Sequence, residues 1–327
     1  MEDSITEIDS VLARLQLVRV EIAKAVVGQR EVIDQLLVAI LAGGHCLLQG
    51  VPGLGKTLIV KAVSEALSVS FKRIQFTPDL MPGDVIGNEI LEENPASGKR
   101  SFVFHKGPIF AQIVLADEIN RTPPKTQSAL LEAMQERTVT YAGLKHELPE
   151  PFFILATQNP IEQAGTYALP EAQLDRFLFL IFIGYPEAEE ELNILYHTTG
   201  TQKQDIKPVL DGSDIIFLQS LVRQVAISPN LIASINSLVR DTRPEAGSSD
   251  KPSSKLGWGA GPRGGQAVVL AAKALALLRG RLSVIPQDIR KVVHPALRHR
   301  LVLNFRSAAA GLTVDDILDE LLKLHGF

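Results

Sequence analysis

The sequence has a single cysteine, Cys46, so the chain cannot form an internal disulfide. Cys46 lies in a short apolar run, which favours a buried, unreactive thiol over a redox role. Long apolar runs are also missing: the longest, Phe177 to Ile183, is too short to cross a bilayer, so we expect no membrane span. Residues 1–10 are polar and acidic where a secretory signal would be basic and then apolar, so we expect a cytoplasmic protein.

Basic blocks are missing as well. The formal net charge is −4 and no segment is rich in lysine and arginine, so we expect no nucleic-acid partner. The seven histidines show no paired spacing of the kind that metal ligands have, which favours structural or surface roles for them. We find no Asn-Lys-x-Asp motif, which a GTP switch would normally use to read its base, and no tandem repeat.

What the chain does contain is a phosphate-binding motif. Residues 50–57 read GVPGLGKT, which has the spacing G-x-x-x-x-G-K-T. In such a loop backbone N–H groups converge on phosphate oxygens, the lysine (Lys56) reaches the β and γ phosphates, and the threonine hydroxyl (Thr57) binds Mg²⁺. A strand-like run precedes the loop and a helical pattern follows it, so the positive end of a helix dipole is predicted beside the phosphates. The sequence therefore predicts binding of a nucleoside triphosphate.

The first half of the chain alternates strand-like and helical patterns. With 327 residues, of which 46% are hydrophobic, the chain can bury a substantial core. Such alternation is typical of a parallel sheet flanked by helices, in which strands buried on both faces are almost continuously apolar. We predict five strands of this kind, at Cys46–Leu48, Arg73–Phe76, Ile113–Ala116, Phe152–Ala156 and Phe177–Ile183.

The second half is predicted to be helical. We therefore place a domain boundary near Pro186, with an α/β nucleotide-binding domain at residues 1–185 and a smaller all-α domain at residues 186–327. Residues 245–265 form a Gly/Ser/Pro-rich loop, and Pro262 suits the first turn of the helix that follows. Helical periodicity extends over Ile216–Val225, Leu231–Arg240, Ala267–Leu278 and Val314–Leu324.

Polar side chains follow two of the predicted central strands. Asp117 and Glu118 come at the end of the third strand, at the edge where open α/β sheets bind ligands. Phosphoryl transfer to water needs a bound metal and a group that orients and deprotonates the water, and we assign these roles to Asp117 and Glu118. Asn159 follows the fourth strand and would help to position that water.

Arg176 stands between a short helical segment and the last predicted strand. A guanidinium is permanently charged and forked, so it suits the charge that develops on a γ-phosphate. The alternative is a surface arginine at the C-terminus of a helix, where a cation is favourable.

Five segments occur in a fixed order along the chain: GVPGLGKT (50–57), LADEINRTPPKTQSALLEAMQE (115–136), ATQNP (156–160), LPEAQLDRF (169–177) and GPRGGQA (261–267). Together these segments resemble the MoxR family of AAA+ ATPases. The resemblance covers nearly the whole chain, and residues 117–127 carry its most specific part. It implies a P-loop parallel sheet followed by a helical lid, with ATP and Mg²⁺ bound and ATP hydrolysed.

The resemblance also implies roles for individual residues. Adenine would lie against Val27, Gly28 and Gln29, and Asn159 would be the first sensor. Arg176 would be an arginine finger inserted into the neighbouring subunit's site, and Arg263 would be a second sensor that contacts phosphate from the lid of its own subunit. The segment around Arg263 has more glycine than the family pattern, which leaves open a position away from the nucleotide. The remaining nucleotide contacts would come from Gly50, Gly53, Leu54, Gly55, Lys56, Thr57 and Leu58, with Thr57 and Asp117 at the metal.

Two insertions resemble the hairpins of this clade, one within Thr77–Lys106 and one at Thr138–Leu148. Each has alternating segments around a turn, and the second turns at Gly143. By resemblance both would face a ring pore or a partner; a structural β-ribbon is the alternative. The same resemblance implies a homo-oligomeric ring of six subunits with sites at the subunit interfaces.

The implied function is chaperone-like: ATP hydrolysis would remodel or mature a partner protein, by metal or cofactor insertion in some cases. A von Willebrand A-domain partner would be a separate chain, because no Asp-x-Ser-x-Ser motif is present in this sequence. The alternatives are a nucleic-acid motor of the same clade and the motor subunit of a metal chelatase. A small-molecule kinase is disfavoured, because it has little use for a water-activating Glu118.

Overall fold

The computed structural model describes residues 2–93, 100–159, 165–199, 205–244 and 251–327. The tip of the first predicted hairpin (94–99), the start of the Gly/Ser/Pro-rich loop (245–250) and Pro160 of the ATQNP segment lie outside the described residues.

The described chain alternates helices and strands in its first half and is mainly helical in its second. The helices are α1 (Glu2–Ala25), α2 (Arg30–Ala42), α3 (Lys56–Ala66), α4 (Pro82–Ile86), α5 (Pro124–Glu136), α6 (Glu171–Leu174), α7 (Ala188–Thr199), α8 (Gly212–Gln224), α9 (Pro229–Arg240), α10 (Pro262–Leu278), α11 (Pro286–Leu297), α12 (Phe305–Ala309) and α13 (Val314–Leu324). The strands are β1 (Cys46–Gln49), β2 (Phe71–Gln75), β3 (Gly87–Glu93), β4 (Arg100–Lys106), β5 (Ile113–Asp117), β6 (Thr138–Tyr141), β7 (Leu144–Glu147), β8 (Phe153–Gln158), β9 (Phe179–Phe182), β10 (Leu256–Trp258) and β11 (Val302–Leu303).

The five predicted core strands form one parallel sheet in the order β2-β5-β8-β1-β9. The predicted α/β class, a P-loop sheet followed by a helical lid, is confirmed. The chain leaves β1 through α3 to reach β2 at the far edge, while β9 lies on the other side of β1. This change of direction places the loop after β1 at the switch point where such sheets bind ligands.

Both predicted hairpins are present, as the antiparallel pairs β3–β4 and β6–β7. They contact each other through aromatic side chains, because the Phe104 ring of β4 stacks 4.1 Å from the His146 ring and lies 5.3 Å from that of Tyr141. The two hairpins therefore form one unit beside the sheet.

The helical second half packs against the sheet domain. α10 lies against α2 and also contacts α8, α9 and α11, and α11 contacts β9. One hydrophobic cluster runs without a break from the first three helices to the C-terminal ones. Burial of this kind stabilises the fold in proportion to the apolar area removed from water. The position of the domain boundary near Pro186 stays a prediction.

The last core strand is shorter than its apolar run. The sequence predicts a strand over Phe177–Ile183, but β9 covers only Phe179–Phe182. The carbonyls of Phe177 and Leu178 accept hydrogen bonds from the guanidinium of Arg300, at 2.7 and 3.3 Å. These two residues are buried, yet their carbonyls bind a side chain instead of a neighbouring strand.

A buried histidine ties the start of β1 to two other elements. The Nδ1 atom of His45 accepts a hydrogen bond from the N–H of Ile154 in β8 (3.0 Å), and Nε2 contacts the carbonyl of Met134 in α5 (3.1 Å). Burial lowers the pKa of His45 to about 4, and the charge of Arg137 acts in the same direction. His45 is therefore neutral in the folded protein.

This histidine should make the fold sensitive to mild acid. An unfolded histidine titrates near pH 6.5, so its contribution to stability is complete above that pH and is lost as the pH falls towards 4. We expect the free energy of unfolding to fall by about 2 kcal/mol from this group between pH 7 and pH 5. Urea unfolding of the parent and of His45→Gln at both pH values measures it, since glutamine can make both hydrogen bonds but does not titrate. An equal pH dependence in the two proteins would contradict the prediction.

Candidate active site

The phosphate loop lies between β1 and α3, as the sequence predicts. Gly53 and Gly55 have φ angles of +88° and +72°, a region that residues with a Cβ rarely adopt. A Cβ at either position would meet no atom within 4 Å, so the space in front of both glycines is open. Gly55 precedes α3, and no side chain caps the first turn of that helix. The backbone N–H groups of this turn are therefore available to a ligand.

Lys56 begins α3 and reaches back across the loop. Its Nζ donates a hydrogen bond to the carbonyl of Gly50. Burial lowers the pKa of Lys56, while the carboxylates of Asp117 and Glu118 oppose that shift. The lysine is thus electrostatically coupled to both acidic residues of the predicted site.

Asp117 ends β5 and is held by two neighbours. Its Oδ1 accepts a hydrogen bond from the hydroxyl of Thr157 (2.6 Å), and its Oδ2 accepts from Nη2 (2.6 Å) and Nε (3.0 Å) of Arg73. The Thr157 hydroxyl also accepts from the N–H of Glu118 (2.8 Å). Thr157 therefore joins the carboxyl ends of β5 and β8.

Glu118 has a left-handed backbone, with φ +58° and ψ +48°. This conformation is uncommon for a residue with a side chain and often marks a functional position. One of its oxygens, Oε2, accepts hydrogen bonds from Nε2 of Gln75 (2.8 Å) and Nη1 of Arg121 (2.9 Å). The carboxylate is thus fixed beside Asp117 at the same edge of the sheet.

Two residues expected at the adenine, Gly28 and Gln29, lie near the same carboxyl ends of the strands. Gln29 donates a hydrogen bond through Nε2 to the carbonyl of Gly184 (3.1 Å), which follows β9. Gly28 packs against the carboxylate of Glu190. A cavity of about 490 Å³ opens beside them, lined by Gln29, Gly184 and Arg298 among others. Asn159, at the end of β8, is buried at this edge.

Arg176 and Arg263 lie at the other end of the strands, near the amino ends of β1 and β9. Both line a cavity of about 310 Å³ with Gly44, which precedes β1. Arg176 donates to the carbonyl of Leu131 in α5 (2.9 Å), and Nη1 of Arg263 lies 3.8 Å from Oδ2 of Asp175.

The expected contact between Arg263 and phosphate in its own subunit does not fit this placement. Six residues of extended chain, about 20 Å, separate Gly44 from Gly50 at the phosphate loop. The ion pair with Asp175 keeps Arg263 at the far end of that distance. The structure thus brings together the loop, Asp117, Glu118 and Asn159, and it does not bring Arg176 or Arg263 to them.

Four polar residues of the site were given no role by sequence reasoning: Arg73, Gln75, Arg121 and Thr157. Arg73 and Gln75 are two positions apart in β2, so their side chains lie on the same face of that strand. This pair of polar residues in a predicted strand was a signal that the sequence offered. Their partners lie more than 40 positions away in sequence, and only the register of β2 on β5 shows the pairing.

The donor set fits a Mg²⁺-bound triphosphate. The glycines leave open space, Lys56 offers a cation, and the Thr57 hydroxyl follows it in the first turn of α3. Asp117 Oδ1 accepts a hydrogen bond from Thr157, and a carboxylate oxygen can accept a second donor such as a metal-bound water. Oxygen ligands of this kind are those that Mg²⁺ prefers.

Other types of site find no support in the described residues. None of their His, Cys, Asp and Glu side chains form a group of three or more that could hold a metal ion. None of the described helices is long and apolar enough to cross a membrane. Cys46 is buried and burial raises the pKa of its thiol, as expected for an unreactive residue.

Comparisons with known proteins identify the family of this chain. Residues 45–179 match the model of the ATPase family associated with various cellular activities (AAA), and residues 252–321 match the AAA lid domain. The chain is 43% identical to chaperone MoxR1 of Mycobacterium tuberculosis, over 93% of this chain and 79% of that protein. It is 45% identical to the uncharacterized protein YeaC of Bacillus subtilis, over 92% and 91% of the two chains.

A solved structure agrees at the level of the fold. The crystal structure of a candidate ATPase from Cytophaga hutchinsonii matches with a TM-score of 0.91 and 38% identity, over 98% of this chain and 97% of that one. A likeness of this extent, in sequence and in structure, covers the sheet, the site and the helical lid. The chain therefore belongs to the MoxR family of AAA+ ATPases.

Proposed function

We propose that this chain hydrolyses ATP with Mg²⁺ and uses the energy to remodel or mature a partner protein. The observation that carries the proposal is the set of groups at the carboxyl edge of the sheet. A phosphate loop with open glycines, Lys56, Asp117 and Glu118 lie there together, which is the set that phosphoryl transfer to water requires.

Each residue has a task in this proposal. The loop N–H groups and Lys56 bind the phosphates, Val27 and Gly28 contact the base, and Leu54 and Leu58 border the nucleotide. Mg²⁺, held through Thr57 and Asp117, would neutralise charge on the phosphates. Glu118 orients the attacking water and accepts its proton, and Asn159 fixes the position of that water.

The two arginines would act between subunits. Arg176 and Arg263 stand at the edge opposite their own phosphate loop, next to each other around Asp175. We therefore assign both to the site of a neighbouring subunit, which changes the role expected for Arg263. A cation supplied by a neighbour makes hydrolysis depend on assembly, and a six-membered ring gives every site such a neighbour.

The MoxR1 relative is named a chaperone, which supports a protein partner. We infer a client protein, with metal or cofactor insertion as one form of maturation, and a separate von Willebrand A-domain protein beside the ring. The net charge of −4 gives little attraction for nucleic acid. We place this activity in the cytoplasm.

Phosphate release by the purified chain tests the proposal. We expect turnover of ATP with Mg²⁺, loss of turnover in excess EDTA, and no more than a small change when single- or double-stranded DNA or RNA is added at physiological salt. Absence of phosphate release from assembled protein would overturn the hydrolytic assignment. Stimulation of several-fold by a nucleic acid would instead favour a nucleic-acid motor.

A further inference from the structure

The 3-10 turn Arg298–Arg300 touches both ends of β9. It follows α11, and its first and last residues are arginines whose guanidinium groups lie at opposite ends of that strand. Each contact involves a different part of the proposed site.

At the amino end, Arg300 binds the segment that carries Arg176. Its Nε donates to Oδ1 of Asp175 (2.8 Å), and its terminal nitrogens donate to the carbonyls of Asp175 (3.1 Å) and Phe177 (2.7 Å). The Arg300 side chain is only 4% exposed. A buried guanidinium with several hydrogen bonds fixes the geometry of the groups around it. Arg300 thus binds the backbone on both sides of Arg176.

The other support of Arg176 comes from α5. The hydrogen bond from Arg176 to the carbonyl of Leu131 connects it to the helix that follows Glu118 and Arg121. Asp175 is shared as well, because its second oxygen lies 3.8 Å from Arg263 at the start of α10. The orientation of Arg176 therefore depends on the lid helices.

At the carboxyl end, Arg298 lines the cavity of about 490 Å³ beside Gln29, which we assign to the base of the nucleotide. Its guanidinium carbon is 4.3 Å from the centre of the Phe182 ring, and the side chain lines the cavity with Gln29 and Gly184. Its Nη2 pairs with Asp315 of α13 at 3.1 Å. A base bound in this cavity would contact the same three-residue turn that binds the Arg176 segment.

We propose that the Arg298–Arg300 turn transmits nucleotide occupancy from a subunit's own site to the Arg176 that it presents to the next subunit. Arg300 and Asp175 are positioning residues in this arrangement. The inference rests on the proposed function, since it requires hydrolysis at sites shared between subunits. A subunit without nucleotide then supplies a poorly placed arginine to its neighbour.

Mixed rings provide the test. Arg176→Ala subunits keep an intact hydrolytic site but lack the finger, whereas Glu118→Gln subunits keep the finger and bind ATP without hydrolysing it. Mixing the two inactive proteins should restore activity to about tenfold or more above either alone, because an arginine finger contributes at least that much. Persistent inactivity of mixed rings, with assembly verified by mass in solution, would reject the shared site and with it this inference, whereas phosphate release by the parent protein tests the proposed hydrolysis separately.

The coupling between a subunit's nucleotide and its Arg176 is tested by changing the donor, the subunit that supplies this arginine to its neighbour. Lys56→Ala subunits carry Arg176 but should bind ATP about 100-fold more weakly, so at an ATP concentration near the parental Kd they stay almost empty. We then expect them to rescue Arg176→Ala at least about fivefold less well than Glu118→Gln donors do. Adding Arg300→Lys to the Glu118→Gln donor should lower its rescue to the Lys56→Ala level, because a compact ammonium group lacks the planar fork by which the guanidinium spans the Asp175 carboxylate and the carbonyls of Asp175 and Phe177. Arg290→Lys, the same change on an exposed position of α11, is the matched control and should not affect rescue.

If Arg300 only stabilised the fold, Arg300→Lys would also impair ATP binding or hydrolysis at the site of its own subunit. As the acceptor, an Arg300→Lys subunit next to a Glu118→Gln donor should hydrolyse ATP with normal affinity, since its own phosphate loop is intact. Asp175→Asn provides a second donor variant if Arg300→Lys unfolds at a lower temperature than the parent. Equal rescue by Lys56→Ala and Glu118→Gln donors in assembled rings would overturn the inference, as would full rescue by both positioning variants.

Discussion

A Glu118→Gln protein is expected to bind ATP as tightly as the parent and to hydrolyse it about 1,000-fold more slowly. General base catalysis contributes a factor of about 10² to 10⁴, and an amide cannot accept the proton of the attacking water. The amide oxygen can still accept the hydrogen bond from Arg121, so the local structure should survive. Single-turnover hydrolysis and equilibrium binding of a fluorescent ATP analogue measure the two quantities separately.

Glu132→Gln is the matched control for that experiment. Glu132 lies in α5, the helix that follows Glu118 in the chain, and it is exposed. We expect parental turnover from it, because it is not among the groups at the carboxyl edge. Turnover near the parental value in Glu118→Gln would reject Glu118 as the base, and a loss of ATP binding would show that its role is structural.

Four strands of the sheet, β1, β5, β8 and β9, could be predicted from the sequence because they are almost continuously buried, whereas the edge strand β2 is mostly exposed. Runs such as Ile113–Ala116 leave no polar residue that would suggest a surface, and all five runs became neighbouring parallel strands. The helix α13 was predicted with its observed bounds, Val314–Leu324, from its periodicity, and the structure shows a Thr313 capping box at its start. The start of β9 was not predictable, since the apolar run gives no sign that Arg300 binds the carbonyls of Phe177 and Leu178 just before the strand.

The parts of the site that are formed by residues adjacent in the sequence could be predicted. The phosphate loop and the pair Asp117-Glu118 each need only a few adjacent residues and a strand before them, so spacing suffices. The ion pair between Arg73 and Asp117 depends on strand register across 44 residues. The location of Arg263 depends on how α10 packs against α2, which the glycine-rich sequence before it does not determine.

The charges around the site explain why the phosphate loop is ready for an anion. Lys56 is half-buried beside two carboxylates, and Arg73 and Arg121 each neutralise one of them. The carboxylates therefore repel an incoming triphosphate less than their formal charge suggests, and the lysine donates its hydrogen bond to the neutral carbonyl of Gly50. A phosphate oxygen is a stronger acceptor for an ammonium group than a neutral carbonyl.

Replacement of Lys56 by alanine should therefore raise the Kd for ATP about 100-fold, which corresponds to about 2.7 kcal/mol. Charge-assisted hydrogen bonds are roughly twice as strong as neutral ones, and this one lies in a partly buried site where water screens it less. Lys61→Ala is the matched control, because Lys61 lies on the same helix but is exposed and pairs only at 3.6 Å with Glu65. Titration of a fluorescent ATP analogue should separate the two variants. If both bind like the parent, the loop does not bind triphosphate through Lys56, and the proposed hydrolytic site loses the cation on which its γ-phosphate depends.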